Sequence, residues 1–429
     1  MKKEIRSAIP DIITALLYIV SGLIMRNHFD ILIKYVYYTS TAKLMLGAVR
    51  SALTYLMTDK DSAMLESVVN IAFGLILLLK PSSLLFMMKF ISAAYMALLA
   101  FIHIIAIVQR RKDNAGSRTG YFILIPFEIF SSLRLLFGKE HRLQQLNRWL
   151  GMYFMVYGLC VFLDIVASFN IFHRRKKKKF HIPLPAIICA FIPKRILKSI
   201  NKLMDNNELP IDKINHTSDD TESDIEIFIH MADTLYGQVG HVDMCFDNYV
   251  LSYGNYDESS YRLNGMLGDG VIEVIDRNKY IRFCLEVSNK HIVSFGIKLN
   301  DEDKMRMQWK LKDIFENLTP WEPPIMSSQS DLISSTQYEL DYASSLYKAT
   351  DALFYKFKDG KYNKFKTYFG LSTNCAALVQ EITSKIGVSL FVFSGILTPG
   401  TYYDYLDSEF RRKNSFVVSK TLYALPNRS

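Results

Sequence analysis

Ser372-Thr373-Asn374-Cys375-Ala376-Ala377-Leu378-Val379-Gln380-Glu381 is the stretch on which the reading of this chain turns. Asn374 is a good helix N-cap, and the apolar positions that follow, Ala377, Leu378 and Ile382, have helical spacing. Cys375 is therefore expected in the first turn of a helix, where unpaired N–H groups and the positive end of the helix dipole favour a thiolate. The plainer alternative is a small apolar residue packing a helix start, since free cysteine is commonly a buried hydrophobe.

Upstream, short β-type runs dominate from Asp224 onward: 225–229, 241–246, 249–253, 271–275, 280–287 and 291–299. Turn residues such as Asp247-Asn248 and Gly268-Asp269-Gly270 separate them, which predicts an antiparallel sheet. Helical periodicity is read at 301–318, in 338–357 and after Cys375, so the second half is expected to be an α+β domain. In 241–246, Val242, Met244 and Phe246 alternate with His241, Asp243 and Cys245. The first set faces a core, and His241 stands on the other face at the very start of the strand. From there an imidazole can reach a helix N-terminus at the sheet edge, the geometry of a thiolate–imidazolium pair.

Four features follow one another in this order: Gly240-His241-Val242-Asp243-Met244-Cys245-Phe246, a strand ending Leu251-Ser252-Tyr253-Gly254, a strand running into Leu299-Asn300-Asp301-Glu302-Asp303 and a helix, and Asn374-Cys375-Ala376-Ala377-Leu378-Val379. Together they resemble the circularly permuted papain-like cysteine hydrolases, the clan of the NlpC-type cell-wall peptidases and the lecithin:retinol acyltransferase-like enzymes. The resemblance covers about residues 225–410. It implies Cys375 as nucleophile, His241 as base and a third polar residue on the next strand that orients the imidazole. That slot falls on Ser252 or Tyr253, and Ser252 can accept from the ring N–H. Asp243, Asp257 and His291 are more distant substitutes. The oxyanion site would be the Cys375 N–H plus one further donor.

Other residues have plainer readings. His291 begins a strand and reads as a strand-end surface histidine; Cys245 and Cys284 read as inert packing. Tyr402-Tyr403-Asp404-Tyr405 fits either a cleft lining or a partly exposed helix or turn face. The five cysteines are odd in number and unrelated in spacing, so neither a disulfide framework nor a zinc site is suggested, and no cofactor or metal is expected.

The first half is different. Apolar blocks near 8–26, 31–57, 65–80, 84–108, 120–137 and 149–172 read as six transmembrane helices, a multi-pass bundle of all-α class. The first block follows Met1-Lys2-Lys3 without a small-residue cleavage site, so it is expected to be retained. Gly22, Gly74 and Gly158 recur in similar apolar settings and would let helices approach closely. Lys43, Arg50, Lys89, His103, Glu128, Arg134 and Asp164 fall inside these blocks. Such residues mark either a transport or proton path, or groups that pair with one another or snorkel to helix ends.

Six helices as three hairpins, with Gly74-Leu75-Ile76-Leu77-Leu78-Leu79-Lys80-Pro81 closing the third, resemble the HdeD-like acid-resistance membrane protein family. That resemblance implies a membrane scaffold over residues 8–172.

Basic residues give the orientation and explain the charge. Lys2, Lys3 and Arg6, then Arg110-Arg111-Lys112, then the run from Arg174 to Lys179 would share one side, which the positive-inside rule makes the cytoplasm. The loop from Lys139 to Arg148 runs against this pattern. A net charge of +9 concentrated in such runs suits anionic lipid headgroups better than nucleic acid, and no nucleic-acid partner is expected. From Lys194 a basic amphipathic pattern, with Ile196, Leu197, Ile200 and Leu203 on one face, predicts an interfacial helix on the cytoplasmic leaflet.

The expected organisation is a transmembrane domain (1–180), an amphipathic segment with an acidic linker (181–223) and a permuted papain-like domain (224–429). The expected function is a membrane-anchored thiol hydrolase cleaving an amide of a peptide or protein, with Cys375, His241 and Ser252 at its site. The alternatives are a lipid acyltransferase or phospholipase of the same clan, or an inactive membrane sensor or binding module.

Overall fold

The computed structural model describes residues 2–138, 147–162, 186–205, 222–326, 341–386, 388, 390 and 396–424, apart from 59, 60, 81, 116–118, 150, 153, 157, 160, 161, 235, 236 and 412–414. The chain divides into two compact units, residues 1–103 with 119–171 and residues 104–118 with 172–429.

The N-terminal region is helical: α1 (Lys2–Asn27), α2 (Phe29–Thr58), α3 (Asp61–Leu79), α4 (Ser82–Lys112) and α5 (Thr119–Phe137). Among the described residues three helices, α3, α4 and the Gly120–Phe137 part of α5, are long and apolar enough to cross a membrane. Much of their apolar surface points outward, with Leu79 and Phe137 each 84% exposed. That surface suits lipid and marks the chain as membrane-associated. The block at 149–172, and Asp164 with it, lies largely outside the described residues.

Two glycines do what their small size suggests. A Cβ on Gly22 would lie 2.5 Å from the Gly151 carbonyl, and one on Gly158 would lie 2.8 Å from the Ala15 carbonyl. Helix backbones meet there, which only glycine permits. Three of the ionisable residues inside the apolar helices are held by partners. His103 Nδ1 lies 2.9 Å from Glu128 Oε2 with both side chains buried, and Lys89 Nζ donates to the Gly138 carbonyl at 2.7 Å. These contacts tie α4 to α5 and to the residue after it, which satisfies groups that would be costly in lipid.

The second unit is built on an eight-stranded sheet in the order β10-β6-β1-β2-β3-β5-β8-β7. The strands used below are β1 (Ile225–Met231), β2 (His241–Phe246), β3 (Tyr249–Gly254), β5 (Val271–Asp276), β6 (His291–Ile297), β8 (Leu353–Phe357) and β10 (Val417–Tyr423), and every pairing is antiparallel. The shorter β4 (Leu267–Asp269) and β9 (Thr367–Phe369) form a separate two-stranded ladder, and β7 (Leu318–Pro320) closes one edge.

Strand alternation gives the sheet two apolar faces, so it is covered on both sides. Ile227, Ile229, Val242 and Met244 pack on one face against α6 (Ile192–Asp205), α8 (Asp301–Glu316), α10 (Cys375–Thr383) and α11 (Pro399–Phe410). Phe228, Cys245, Val250 and Ile275 pack on the other against α7 (Arg277–Glu286) and α9 (Tyr342–Thr350).

Four expectations change. The run read as a strand at 280–287 is helix α7, because Asp276 caps it by accepting from Asn278 N and Lys279 N and fixes the first turn. The helical reading of 338–357 divides: α9 stops at Asp351, in the left-handed region at φ 57°, and β8 follows. In α6, Leu197 and Ile200 are 2% and 4% exposed inside the sheet core, so the apolar face expected on a membrane surface packs on β1 and α11 instead. Tyr402 and Tyr405 are core residues of α11 at 0% and 1% exposure, so the partly exposed helix face expected of this stretch is confined to Tyr403 and Asp404, which are half-buried.

Candidate active site

Asn374 sets the start of α10. Its side-chain oxygen accepts from the Ala377 N–H at 3.0 Å, while its Nδ2 donates to the carbonyls of Gly370 at 2.9 Å and Leu397 at 2.8 Å. The cap is thereby anchored to the chain on both sides, and Cys375 takes the first helical position, 3% exposed. Its N–H belongs to the first turn, which has no intrahelical acceptor.

Gly240 leads into β2 with φ +89°, and a Cβ there would lie 3.0 Å from the His230 carbonyl, so glycine is required at the turn before His241. α10 packs over β2 and β3. Cys375 lies close enough to His241 and to Tyr368 for its sulfur to act electrostatically on both side chains.

Behind the imidazole stands a carboxylate. His241 Nε2 is 2.7 Å from Asp243 Oδ1. Asp243 Oδ2 accepts from the Tyr280 hydroxyl at 2.7 Å and lies 2.7 Å from His230 Nε2. Ser252 Oγ is 3.2 Å from His241 Nε2 and 2.7 Å from the Tyr256 hydroxyl. With Nε2 engaged by Asp243, Nδ1 is the ring nitrogen available to the sulfur.

The electrostatics follow from burial and pairing. Burial alone would lift the Asp243 carboxyl, but the two imidazoles outweigh it and hold the acid well below the usual carboxylate range. Burial alone would lower His241; Asp243 and then Cys375 outweigh it and hold the imidazolium well above its ordinary value. His230 is fully enclosed, and burial wins there over Asp243, so it is held below its ordinary value and stays neutral at neutral pH.

Of the residues expected at the site, Cys375, His241 and Ser252 come together, while the strongest contact to His241 Nε2 is to Asp243 rather than Ser252. The reason is local: residues i and i+2 of a strand share a face, so the imidazole folds back onto its own strand. Asp257 lies elsewhere, capping the 3-10 turn Glu258–Ser260 and paired with Lys356 at 2.6 Å. His291 opens β6 but is buried at 7% exposure, not a surface residue. Cys245, Cys284 and Cys189 are buried, and burial pushes each thiol up to about 12, which fits packing roles.

His230, Tyr280 and Tyr368 were not singled out in the sequence. The register of β1 on β2, which sets His230 opposite His241, carries the first. The Asp276 cap with Tyr280 and Cys284 four residues apart carries the second. Among the described residues no group of His, Cys, Asp or Glu is arranged to hold a metal ion.

Neither a family model, nor a curated protein, nor a solved structure matches this chain.

Proposed function

We propose that the chain is a multi-pass membrane protein whose second unit is a thiol hydrolase of the permuted papain-like kind, acting on an amide bond of a peptide or protein. The observation that supports this most is His241, paired with Asp243 at 2.7 Å, standing in the electrostatic reach of Cys375 at the start of a capped helix. Six helices resembling the HdeD-like proteins would anchor it, with the basic ends and the hydrolase domain on the cytoplasmic side.

In this reading Nδ1 of His241 takes the Cys375 proton, and the imidazolium is held by Asp243. The thiolate attacks the carbonyl carbon, and the oxygen gathers negative charge beside the Cys375 N–H and the Tyr368 hydroxyl. The C–N bond breaks as His241 protonates the leaving amine. Water, deprotonated by His241, then attacks the thioester and releases acid and free thiol.

Acyl transfer on a lipid ester is the second reading. The membrane-associated helices favour it, although α6 turns its apolar face to the protein core. An inactive sensor or binding module is the third, and Asp243 counts against it by giving the imidazole a carboxylate partner.

The deciding experiment uses the full chain in nanodiscs with three sets of probes: peptide amides, p-nitrophenyl acyl esters and phospholipid. Amide turnover that disappears in Cys375→Ala supports the reading. Turnover of phospholipid alone moves the assignment to acyl transfer, and no turnover with any probe removes the enzyme.

A further inference from the structure

Glu273 is the most anomalous side chain near the site. It stands on β5 directly opposite Ser252 of β3. The β2–β3 register, with Met244 opposite Leu251, brings Asp243 to the same level, so Asp243, Ser252 and Glu273 form one row across three adjacent strands about 4.8 Å apart. Its exposure is 0%, and both carboxyl oxygens lack a hydrogen-bond partner among the described residues. A fully enclosed carboxylate without a donor is too costly to keep, whereas the protonated acid is tolerable.

The groups around it have mixed signs. Asp243 on β2 and Asp341 at the cap of α9 oppose a charge on Glu273, and Lys290 and His241 favour one. The phenols of Tyr256 and Tyr342 complete the surroundings, stacked on each other at 5.2 Å. Burial comes first and Asp243 second in pushing the carboxyl well above its ordinary range.

Resting on the hydrolase reading, we infer that Glu273 is a positioning residue that works as a neutral acid, and that its ionisation sets the alkaline edge of the Cys375–His241 pair. Neutral, it leaves Asp243 as the single anion behind His241, and it stands as the cross-strand neighbour of Ser252. Charged, it adds a second negative potential to the row and keeps the proton on His241 to higher pH.

A buried neutral acid also weakens the fold as pH rises. Its folded-state proton affinity is raised, so its contribution is intact below the unfolded value of 4.5 and is lost progressively above it. The amide of Glu273→Gln has the same shape and escapes that loss.

The test compares wild type with Glu273→Gln as full chains in nanodiscs. Two readouts are needed: the rate of Cys375 alkylation by iodoacetamide against pH, read by mass spectrometry, and the thermal midpoint against pH. The expected result is an alkylation rate within about twofold at pH 7, an upper inflection about half a unit lower in the variant, and a thermal midpoint equal near pH 4 but higher in the variant at pH 8. Superimposable alkylation profiles with selective Cys375 labelling would overturn the role of Glu273 alone. Failure of Glu273→Gln to fold at pH 7 would also overturn it, since neutrality and shape are kept. Labelling of Cys375 no faster than Cys245 and Cys284 in both chains would overturn the hydrolase reading and this inference together.

Discussion

The carboxylate of Asp243 is shared between two imidazoles, with His241 Nε2 2.7 Å from Oδ1 and His230 Nε2 2.7 Å from Oδ2. Of the two, His241 is the one whose proton affinity Cys375 raises. One carboxylate therefore serves a half-open histidine, 23% exposed at its side chain, and a fully buried one.

Asp243→Asn should lose most of the activation. Asp243 is what lifts the His241 imidazolium against burial, so in the variant the imidazolium is lost at lower pH. A drop of about tenfold or more in the neutral-pH alkylation rate of Cys375 is expected, the equivalent of one pH unit in His241. A rate equal to wild type would show that the carboxylate does not act on the pair.

Ser252→Ala should matter less. Its contact to His241 is 3.2 Å, and the hydroxyl is shared with Tyr256 at 2.7 Å. Loss of one neutral hydrogen bond, about 1 kcal/mol, predicts a change of about fivefold or less in the same assay. An effect larger than that of Asp243→Asn would return the third position to Ser252.

The fold of the second unit carries a pH signature at Glu381. This carboxylate lies 2.6 Å from both Lys310 and Lys364, and Lys310 is only 6% exposed. Burial would raise Glu381, but the two lysines outweigh it and hold it below its ordinary 4.5. A lowered acid stabilises the fold above its unfolded value and ceases to do so as pH falls through its folded value. Glu381→Gln should therefore cost about 3 kcal/mol at pH 7, by leaving buried Lys310 with the Tyr362 hydroxyl but no carboxylate, and progressively less below pH 4.5. Pulse labelling of Cys284, buried in the same unit, against urea concentration reads the difference.

Leu197→Ala tests where α6 places its apolar face. Burial at 2% exposure in the sheet core predicts a loss of about 2–5 kcal/mol in the Cys284 labelling assay. No change would mean that the face is turned elsewhere.

How much was legible in the sequence follows the range of the signals. β2 could be read because Val242, Met244 and Phe246 alternate, and α10 because Asn374 caps it; both are local patterns. α7 was misread because Tyr280, Ile281 and Phe283 favour strands, and the Asp276 cap outweighed that preference. The amphipathic pattern of α6 was legible, but periodicity shows only that a face is apolar, not whether lipid or β1 covers it. His230 and Glu273 reach the site through strand register, a relation between distant segments that no local spacing encodes. Three of the six expected membrane helices are long and apolar enough among the described residues: the first block offers only the shorter apolar helix Ala15–Asn27, α2 is not among the spans, and the sixth block lies largely outside the described residues.

The most direct measurement is labelling of the full chain with an electrophilic cysteine probe, comparing wild type, Cys375→Ser and His241→Ala by mass spectrometry. An activated pair predicts selective modification of Cys375, absent in Cys375→Ser and slowed about tenfold or more in His241→Ala. Slow modification spread over several cysteines and indifferent to His241 would contradict a catalytic Cys375–His241 pair.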